Sequence, residues 1–265
     1  MHAKVKHSAE PYVLCQKKNG VATLTLNRPK QYNAMSSDVL RELKSSLSDI
    51  ARDESVCVVV LAANGPAFCT GHDLKEMMAN RTPQFIGNLF DQCSEIMLNL
   101  QDLPQPVIAR VHGVATAAGC QLVAQCDLAV ASTQARFATS GINLGLFCAT
   151  PGVPVSRNVP RKRAFEMLFT GEFIDAQTAL ELGLVNRVTT PEKLDEEVAK
   201  LVGAIVDKPA AVCAAGKKLF YQQIESKIDA AYKIASAAIT KNMLGDEAAE
   251  GVGAFIEKRK PNWKK

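Results

Sequence analysis

The sequence has 265 residues and a mass of 28.6 kDa; 47% of the residues are hydrophobic and 22% are charged. A chain of this length and composition buries a sizeable core, and its apolar runs fall short of the roughly 20 residues that a membrane-spanning helix needs. The 31 basic and 27 acidic side chains leave a net charge of +4, which is too small to indicate a nucleic-acid partner. A membrane protein, a disordered chain and a disulfide scaffold are therefore excluded.

The cysteines and histidines show no metal-ligand spacing and no C-x-x-C pair. Most cysteines lie inside apolar segments, so we expect buried free thiols and a reducing compartment. The eight cysteines are Cys15, Cys57, Cys69, Cys93, Cys120, Cys126, Cys148 and Cys213.

Residues 1–11 are predicted to form a flexible tail without the apolar core of a secretory signal, and Met1 is consistent with a start that follows a removed transit peptide. An α/β core is expected over residues 12–190. Alternating residues 21–26 predict a half-buried strand, and Ser36 or Ser37 is expected to cap the helix that carries Leu40, Leu43, Leu47 and Ile50. The continuous apolar run 56–61 predicts a strand covered on both faces.

The strand–helix alternation then repeats. Strands are predicted at 107–111, 128–131 and 184–188, and helices at 117–125, 161–169 and 176–182. Such alternation indicates βαβ units and parallel sheet. After Pro191 the strands stop, and four helices are predicted at 191–206, 209–223, 227–243 and 246–258. This helical region, residues 191–265, is expected to cover the core or another subunit with its apolar faces.

Two glycine-containing turns between strand and helix expose backbone N–H groups, at residues 68–77 and 112–120. If the two turns converge, their N–H groups can bind a carbonyl oxygen and stabilise negative charge on it. Each turn taken alone is more often a plain connection.

Several motifs in register resemble the enoyl-CoA hydratase/isomerase (crotonase) superfamily, and the resemblance covers residues 12–263. The motifs are NRP at 27–29, NA at 33–34, AFCTGHDLKEM at 67–77, PVIARVHG at 106–113, GCQL at 119–122, CD at 126–127, TGE at 170–172, GLVN at 183–186 and FIEKRKP at 255–261.

The resemblance implies a spiral of ββα units with C-terminal helices that build a homotrimer or a dimer of trimers. It also implies an acyl-CoA ligand, with CoA entering only as part of that ligand, no separate cofactor, and a role in fatty-acid metabolism in the mitochondrial matrix. The backbone N–H groups of His72 and Ala118 are the expected oxyanion-hole donors, and Ala118 stands where the family has glycine, which requires a negative φ. The expected ligand-binding residues are His72, Asp73, Leu74, Lys75 and Ala118.

The chain departs from the family at the two glutamates that hold the hydratases' catalytic water. Gln121 stands at the first position and Gly141 at the second. A carboxamide does not accept a proton at neutral pH, although it can orient a water or a carbonyl. Hydration by the two-carboxylate route is therefore not expected.

Other acid/base candidates are few. Cys148 is expected to be a thiol in the wall of the acyl pocket, since no dedicated cation or histidine accompanies it, and Ser140 and Thr150 are weaker hydrogen-bonding candidates. The side chain of His72 is expected at the surface or at the edge of the CoA. His112 is expected to be a hydrogen-bonded histidine at a strand end, and Asp73 a helix cap.

Two functions from different classes follow. The first is an acyl-CoA-binding protein of lipid metabolism without ordinary hydratase activity; the second is an active hydratase/isomerase-type lyase with an unorthodox acid/base. RNA binding is not expected, because the helix over residues 37–53 mixes basic and acidic side chains.

Overall fold

A computed structural model of the chain describes residues 10–263. Ten strands are present in these residues: β1 (Val13–Lys18), β2 (Val21–Leu26), β3 (Val58–Ala63), β4 (Ala67–Cys69), β5 (Val107–Val111), β6 (Val114–Thr116), β7 (Leu128–Ser132), β8 (Arg136–Ala138), β9 (Ile174–Asp175) and β10 (Arg187–Thr189). The α-helices are α1 (Ser37–Ala51), α2 (Leu74–Ala79), α3 (Pro83–Asp102), α4 (Ala118–Gln125), α5 (Ala149–Asn158), α6 (Arg161–Thr170), α7 (Ala176–Glu181), α8 (Leu194–Val206), α9 (Ala210–Ile224), α10 (Ile228–Met243) and α11 (Asp246–Ile256). Short 3₁₀ helices cover Pro29–Gln31, Ser140–Leu144 and Pro191–Lys193.

The strands form two sheets, and the chain passes repeatedly from the larger one to the smaller one. The larger sheet has the order β1-β2-β3-β5-β7-β10 and is parallel apart from β1, while the smaller has the order β4-β6-β8-β9 and is parallel apart from β9. Three consecutive strand pairs are divided between the sheets: β3/β4, β5/β6 and β7/β8. In each pair the first strand lies in the larger sheet and the second in the smaller one, and a helical segment follows the second strand. The α/β core predicted from the strand–helix alternation and the spiral of ββα units implied by the resemblance are therefore confirmed.

Local sequence chemistry accounts for the first elements. Ser36 caps α1 by accepting a hydrogen bond from the Val39 N–H, and the four predicted core residues of this helix are buried. Every side chain of β3 is buried, because the main core covers one face of the strand and Leu194 and Val198 of α8 pack on the other.

Three expectations need correction. The last strand covers Arg187–Thr189 instead of 184–188, because the Leu184 and Val185 amides donate to Ala179 O and their side chains turn into the core. The resemblance implies that residues 145–152 form a loop over the acyl pocket, but α5 begins at Ala149 and ends this loop at Cys148. Cys15 is exposed, although five of the eight free cysteines are buried as expected.

The helices expected after residue 190 are present as the short 3₁₀ helix and α8–α11. Lys217 of α9 is buried and donates to Leu100 O at 2.8 Å, to Gln105 O at 3.0 Å and to Asp127 Oδ2 at 2.7 Å, which fixes this helix to the α/β core. The predicted domain division stays a prediction, and residues 1–9 of the expected tail lie outside the described residues. Within residues 10–263, no helix has both the length and the apolarity to cross a membrane.

Candidate active site

The two glycine-containing turns meet at one edge of the smaller sheet. Strands β4 and β6 are parallel neighbours, so the chain leaves both at the same edge. A Cβ built on Gly71 would lie 2.9 Å from the Cβ of Ala117 and 3.4 Å from the backbone nitrogen of Ala118. The turn that carries the His72 amide is therefore in direct contact with the turn that carries the Ala118 amide.

Gly119 allows this close approach. A Cβ at Gly119 would lie 2.0 Å from the carbonyl oxygen of Cys69, a separation that no side chain tolerates. The start of α4 thus packs directly against the end of β4, and only a residue without a side chain fits between them.

Both expected donor amides are free of intramolecular acceptors among residues 10–263. The backbone around His72 is fixed by its neighbours, since Met35 N donates to Gly71 O at 2.8 Å and Asp73 N donates to Met35 O at 3.1 Å. Ala118 is the first residue of α4, where the N–H has no partner within the helix. Two unpaired N–H groups on touching turns have the chemistry of an anion- or carbonyl-binding site.

Backbone strain is present one residue before the second amide. Ala118 is helical and meets the requirement for a negative φ. Ala117, in contrast, has φ 52° and ψ −121°, a backbone conformation that residues other than glycine rarely adopt. Ala117 is held there because its N–H donates to Ala138 O at 3.0 Å and its carbonyl accepts from Gln121 N at 3.0 Å. A residue held in such a region costs about 1–3 kcal/mol.

The buried side chain of Asn33 fixes the chain that leads into the first turn by hydrogen bonds. Asn33 is 1% exposed; its Nδ2 donates to Asn64 O and Ala67 O, both at 2.8 Å, and its Oδ1 accepts from Arg28 N at 2.8 Å. These bonds give a structural role to the NRP and NA motifs found in the sequence.

Asp73 is the helix cap that the sequence predicted. Its carboxylate accepts from the N–H groups of Lys75 and Glu76, and Arg28 Nη1 lies 3.0 Å from it. Burial acts to raise the pKa of Asp73, but these hydrogen bonds and the guanidinium hold it below its usual value. Leu74 and Lys75 are exposed on the first turn of α2, so both are accessible to a ligand.

His72 is half-buried, with its ring nitrogens turned inward, and its expected position at the edge of the CoA stays a prediction. Its ring packs edge-on against Phe90 of α3 with the centroids 5.0 Å apart, and both ring nitrogens are buried without a hydrogen-bond partner among the described residues. Burial outweighs the opposing effect of the nearby Met35 backbone and lowers the pKa of His72 to about 4, so the ring is neutral at physiological pH.

Gln121, the expected first glutamate position, lies on α4 and is 2% exposed. Its side-chain oxygen is also buried without a partner among residues 10–263. A neutral carboxamide at this position offers hydrogen bonds but no proton transfer.

Gly141, the expected second glutamate position, has no room for a side chain. A Cβ on Gly141 would lie 2.6 Å from Leu146 O and 2.8 Å from Cys148 Sγ, and the Gly141 N–H donates to that sulfur at 3.3 Å. Burial raises the pKa of the Cys148 thiol, which keeps it protonated. Cys148 is thus a buried neutral thiol, and it lies with Leu146 O in the space that a side chain at Gly141 would need.

Two of the remaining candidates, Ser140 and His112, have structural partners. The hydroxyls of Ser140 and Thr116 are hydrogen-bonded to each other at 2.7 Å, and Thr150 lies in the first turn of α5. His112 Nε2 lies 2.8 Å from Gly65 O, as expected for a histidine at a strand end, although its Nδ1 is buried without a partner in the described part of the chain.

Sequence reasoning missed Phe90, because α3 was not predicted. The signal was present: Thr82 caps the helix before Pro83, and apolar residues recur at helical spacing. The buried residues of α3 are Leu89, Cys93, Ile96, Met97 and Leu100.

Two sheets wound from ββα units, with touching turns that present free amides, define a protein of the crotonase fold. The enoyl-CoA hydratase/isomerase family model matches residues 16–265, and the chain belongs to this family. It is 44% identical over 248 residues to "Enoyl-CoA hydratase domain-containing protein 3, mitochondrial" of Rattus norvegicus, covering 94% of this chain and 83% of that protein. It is 33% identical over 258 residues to "Short-chain-enoyl-CoA hydratase" of Clostridium acetobutylicum, covering 94% and 95% of the two chains.

Solved structures agree with this assignment. A Mycobacterium smegmatis enoyl-CoA hydratase structure is 58% identical and superposes with a TM-score of 0.95, covering 96% of this chain and 99% of that one. The structure of human enoyl-CoA hydratase domain-containing protein 3 is 42% identical, with a TM-score of 0.93 and coverage of 95% and 100%.

Proposed function

We propose that the protein binds acyl-CoA thioesters of fatty-acid metabolism and lacks ordinary enoyl-CoA hydratase activity. The thioester oxygen accepts hydrogen bonds from the His72 and Ala118 amides, and residues 72–75 contact the CoA moiety. Family membership and the touching turns with free amides support the binding half of this proposal. One such donor contributes about 2.7–4 kcal/mol when charge develops on the oxygen.

The residues at the two expected glutamate positions support the second part of the proposal, the lack of ordinary hydratase activity. Gln121 cannot accept a proton, and the backbone and the thiol around Gly141 leave no room for a side chain there. Nothing at these two positions deprotonates a water, so the two-carboxylate hydration route has no base.

The alternative is an active hydratase/isomerase-type lyase with an unorthodox acid/base, and the hydratase names of the bacterial relatives favour it. The nearby titratable groups argue against it. The low pKa of His72 makes the imidazole a weak base, and the raised pKa of Cys148 makes that thiol a poor nucleophile at neutral pH.

Incubation with a panel of enoyl-, 3-hydroxyacyl- and malonyl-type CoA esters separates the two functions. The proposal expects calorimetric binding of acyl-CoA without turnover of any ester. Turnover of one ester would favour the lyase, and the absence of any binding would contradict both.

We further propose a homotrimer or a dimer of trimers. The C-terminal helices expose large apolar side chains that a second subunit would bury, including Phe220, Ile224, Ile228, Tyr232, Ile239, Met243, Leu244, Phe255 and Ile256. Sedimentation velocity tests the assembly, and a monomer at micromolar concentration would contradict it.

On resemblance to vertebrate proteins whose names include the word mitochondrial, we assign the protein to the mitochondrial matrix. No cofactor other than the CoA of the ligand is required by the proposed binding.

A further inference from the structure

The helix α4, whose first residue presents the Ala118 amide, is held at its start by two contacts. The Ala117 N–H donates to Ala138 O at 3.0 Å, and the backbone at Gly119 packs against Cys69 O. These contacts fix the turn, but they leave the far end of the helix to be held by other residues.

The far end of α4 is held by a hydrogen-bonded network around Asp127, which follows the helix by two residues. The Asp127 carboxylate accepts from the Val107 N–H at 2.6 Å, from Lys217 Nζ at 2.7 Å and from the Tyr221 hydroxyl at 2.7 Å. The side chains of Lys217 and Asp127 are 6% and 15% exposed, so water competes little for this ion pair. We call these four residues the Asp127 network.

Two of the three donors to Asp127 come from α9, in the helical region that follows the α/β core. Lys217 and Tyr221 are four residues apart, so they lie on the same face of α9, one turn from each other. A further contact acts at the same end of α4, where Asn158 Nδ2 of α5 donates to Ala124 O at 2.9 Å. The end of α4 is therefore bonded to both α5 and α9.

The strain at Ala117 requires anchors at both ends of the helix. A residue in a rare backbone conformation relaxes unless the surrounding structure prevents it. With eight residues, α4 is about 12 Å long and moves as one body, so a shift of its far end displaces the Ala118 amide as well. The Asp127 network thus opposes the movement that would relax Ala117.

We propose that Lys217 and Tyr221 are positioning residues for the oxyanion site. Through Asp127 they hold α4 in the place where the Ala118 amide meets the thioester oxygen. This inference rests on the proposed acyl-CoA binding and gives α9 a part in it. The contacts of the CoA moiety are expected at residues 72–75 on the other turn, so they do not depend on this network.

The test is calorimetric titration of Tyr221→Phe and of the wild type with butyryl-CoA and with free CoA. The substitution removes one hydrogen bond to Asp127 and keeps the ring. Free CoA has no thioester carbonyl, so a displaced Ala118 amide affects only butyryl-CoA. We expect butyryl-CoA to bind about threefold to tenfold more weakly to the variant and free CoA to bind equally to both proteins.

Two further variants accompany this comparison. Lys217→Met should weaken butyryl-CoA binding in the same selective way, and Tyr221→Phe keeps the test valid if Lys217→Met does not fold. Trp263→Phe is the matched control, because it removes another hydrogen bond of an aromatic side chain, from Trp263 Nε1 to Glu247 O, elsewhere in the C-terminal helical region. Both of its affinities should equal those of the wild type.

A double-mutant cycle tests the network without a ligand. Substitutions at well-separated positions normally have additive effects on the free energy of unfolding. If the Asp127 network holds Ala117 in its strained conformation, Ala117→Gly should stabilise Tyr221→Phe less than it stabilises the wild type. Additive effects in this cycle overturn the proposal.

The ligand titrations distinguish failure of this inference from failure of the proposed function. Unchanged butyryl-CoA affinity in folded Tyr221→Phe, or equal weakening of butyryl-CoA and free CoA, overturns the positioning role and leaves the proposed function intact. If the wild type binds butyryl-CoA no more tightly than free CoA, the proposed thioester contact is overturned, and the double-mutant cycle alone decides whether the network holds Ala117.

Discussion

The backbone N–H of Gly141 donates a hydrogen bond to the thiol of Cys148 at 3.3 Å, at the position where the sequence resemblance leads us to expect the family's second glutamate. Leu146 O and the thiol occupy the space that a side chain at Gly141 would need.

Restoring both glutamates should consequently fail to restore hydration. In Gln121→Glu/Gly141→Glu, the new side chain at 141 meets a backbone carbonyl at 2.6 Å from its Cβ, so we expect a loss of about 1–3 kcal/mol in the free energy of unfolding and no hydration of crotonyl-CoA. Denaturant unfolding measures the change in stability, and the decrease in enoyl absorbance of crotonyl-CoA measures hydration.

The steric effect at residue 141 can be tested by comparing the stability of Gly141→Ala with that of Gly87→Ala. The second variant is the control, because a Cβ at Gly87 meets nothing within 4 Å. Only the first should destabilise the protein. A stable double variant that hydrates crotonyl-CoA would show that the pocket has kept its hydratase shape.

Gly119→Ala should separate the two amide-bearing turns. Its Cβ would lie 2.0 Å from Cys69 O, so α4 must move away from β4. We expect a loss of about 3 kcal/mol in unfolding free energy and at least tenfold weaker acyl-CoA binding. Gly203→Ala in α8 is the control, because the site has open space and a helical glycine-to-alanine change gains about 0.5–1 kcal/mol. Unchanged acyl-CoA affinity in folded Gly119→Ala would contradict the geometry described for the turns.

Ala117→Gly should stabilise the fold. The substitution relieves about 1–3 kcal/mol of backbone strain and costs about 0.4–1 kcal/mol through the more flexible unfolded chain, which leaves a gain of about 1 kcal/mol. Denaturant unfolding of this variant can be compared with Ala124→Gly in the helix that follows, which should lose stability. A loss in both would mean that Ala117 is not strained.

The buried imidazole of His72 should make stability depend on pH. Its pKa of about 4 in the folded state lies below the value of 6.5 for a free histidine, so the unfolded state binds the proton first as the pH falls. The neutral buried ring contributes about 3 kcal/mol to the free energy of unfolding. This contribution is complete above pH 6.5 and is lost as the pH decreases towards 4. His72→Leu should remove this slope from urea unfolding curves recorded between pH 4.5 and 7; an identical slope in both proteins would show that folding does not lower the pKa of His72.

Local patterns predicted the elements whose burial follows a simple period. The alternation of β2 and the Ser36 cap of α1 are examples, and the two turns were found because glycine and helix-start residues follow a strand. The strands of the smaller sheet were missed, since three residues are too few to show a period of two. The burial of His72 depends on Phe90, and the strain of Ala117 on a hydrogen bond to Ala138 O; both contacts are long-range and leave no local signal.

The most direct measurement of the central proposal is the infrared carbonyl band of butyryl-CoA labelled with ¹³C at the thioester carbon. Two backbone donors should polarise the bound carbonyl, so the band should move to lower wavenumber on binding to the wild type and return towards its free position in Gly119→Ala. A bound thioester whose band stays at the position of the free ester would contradict the assignment of His72 and Ala118 as its donors.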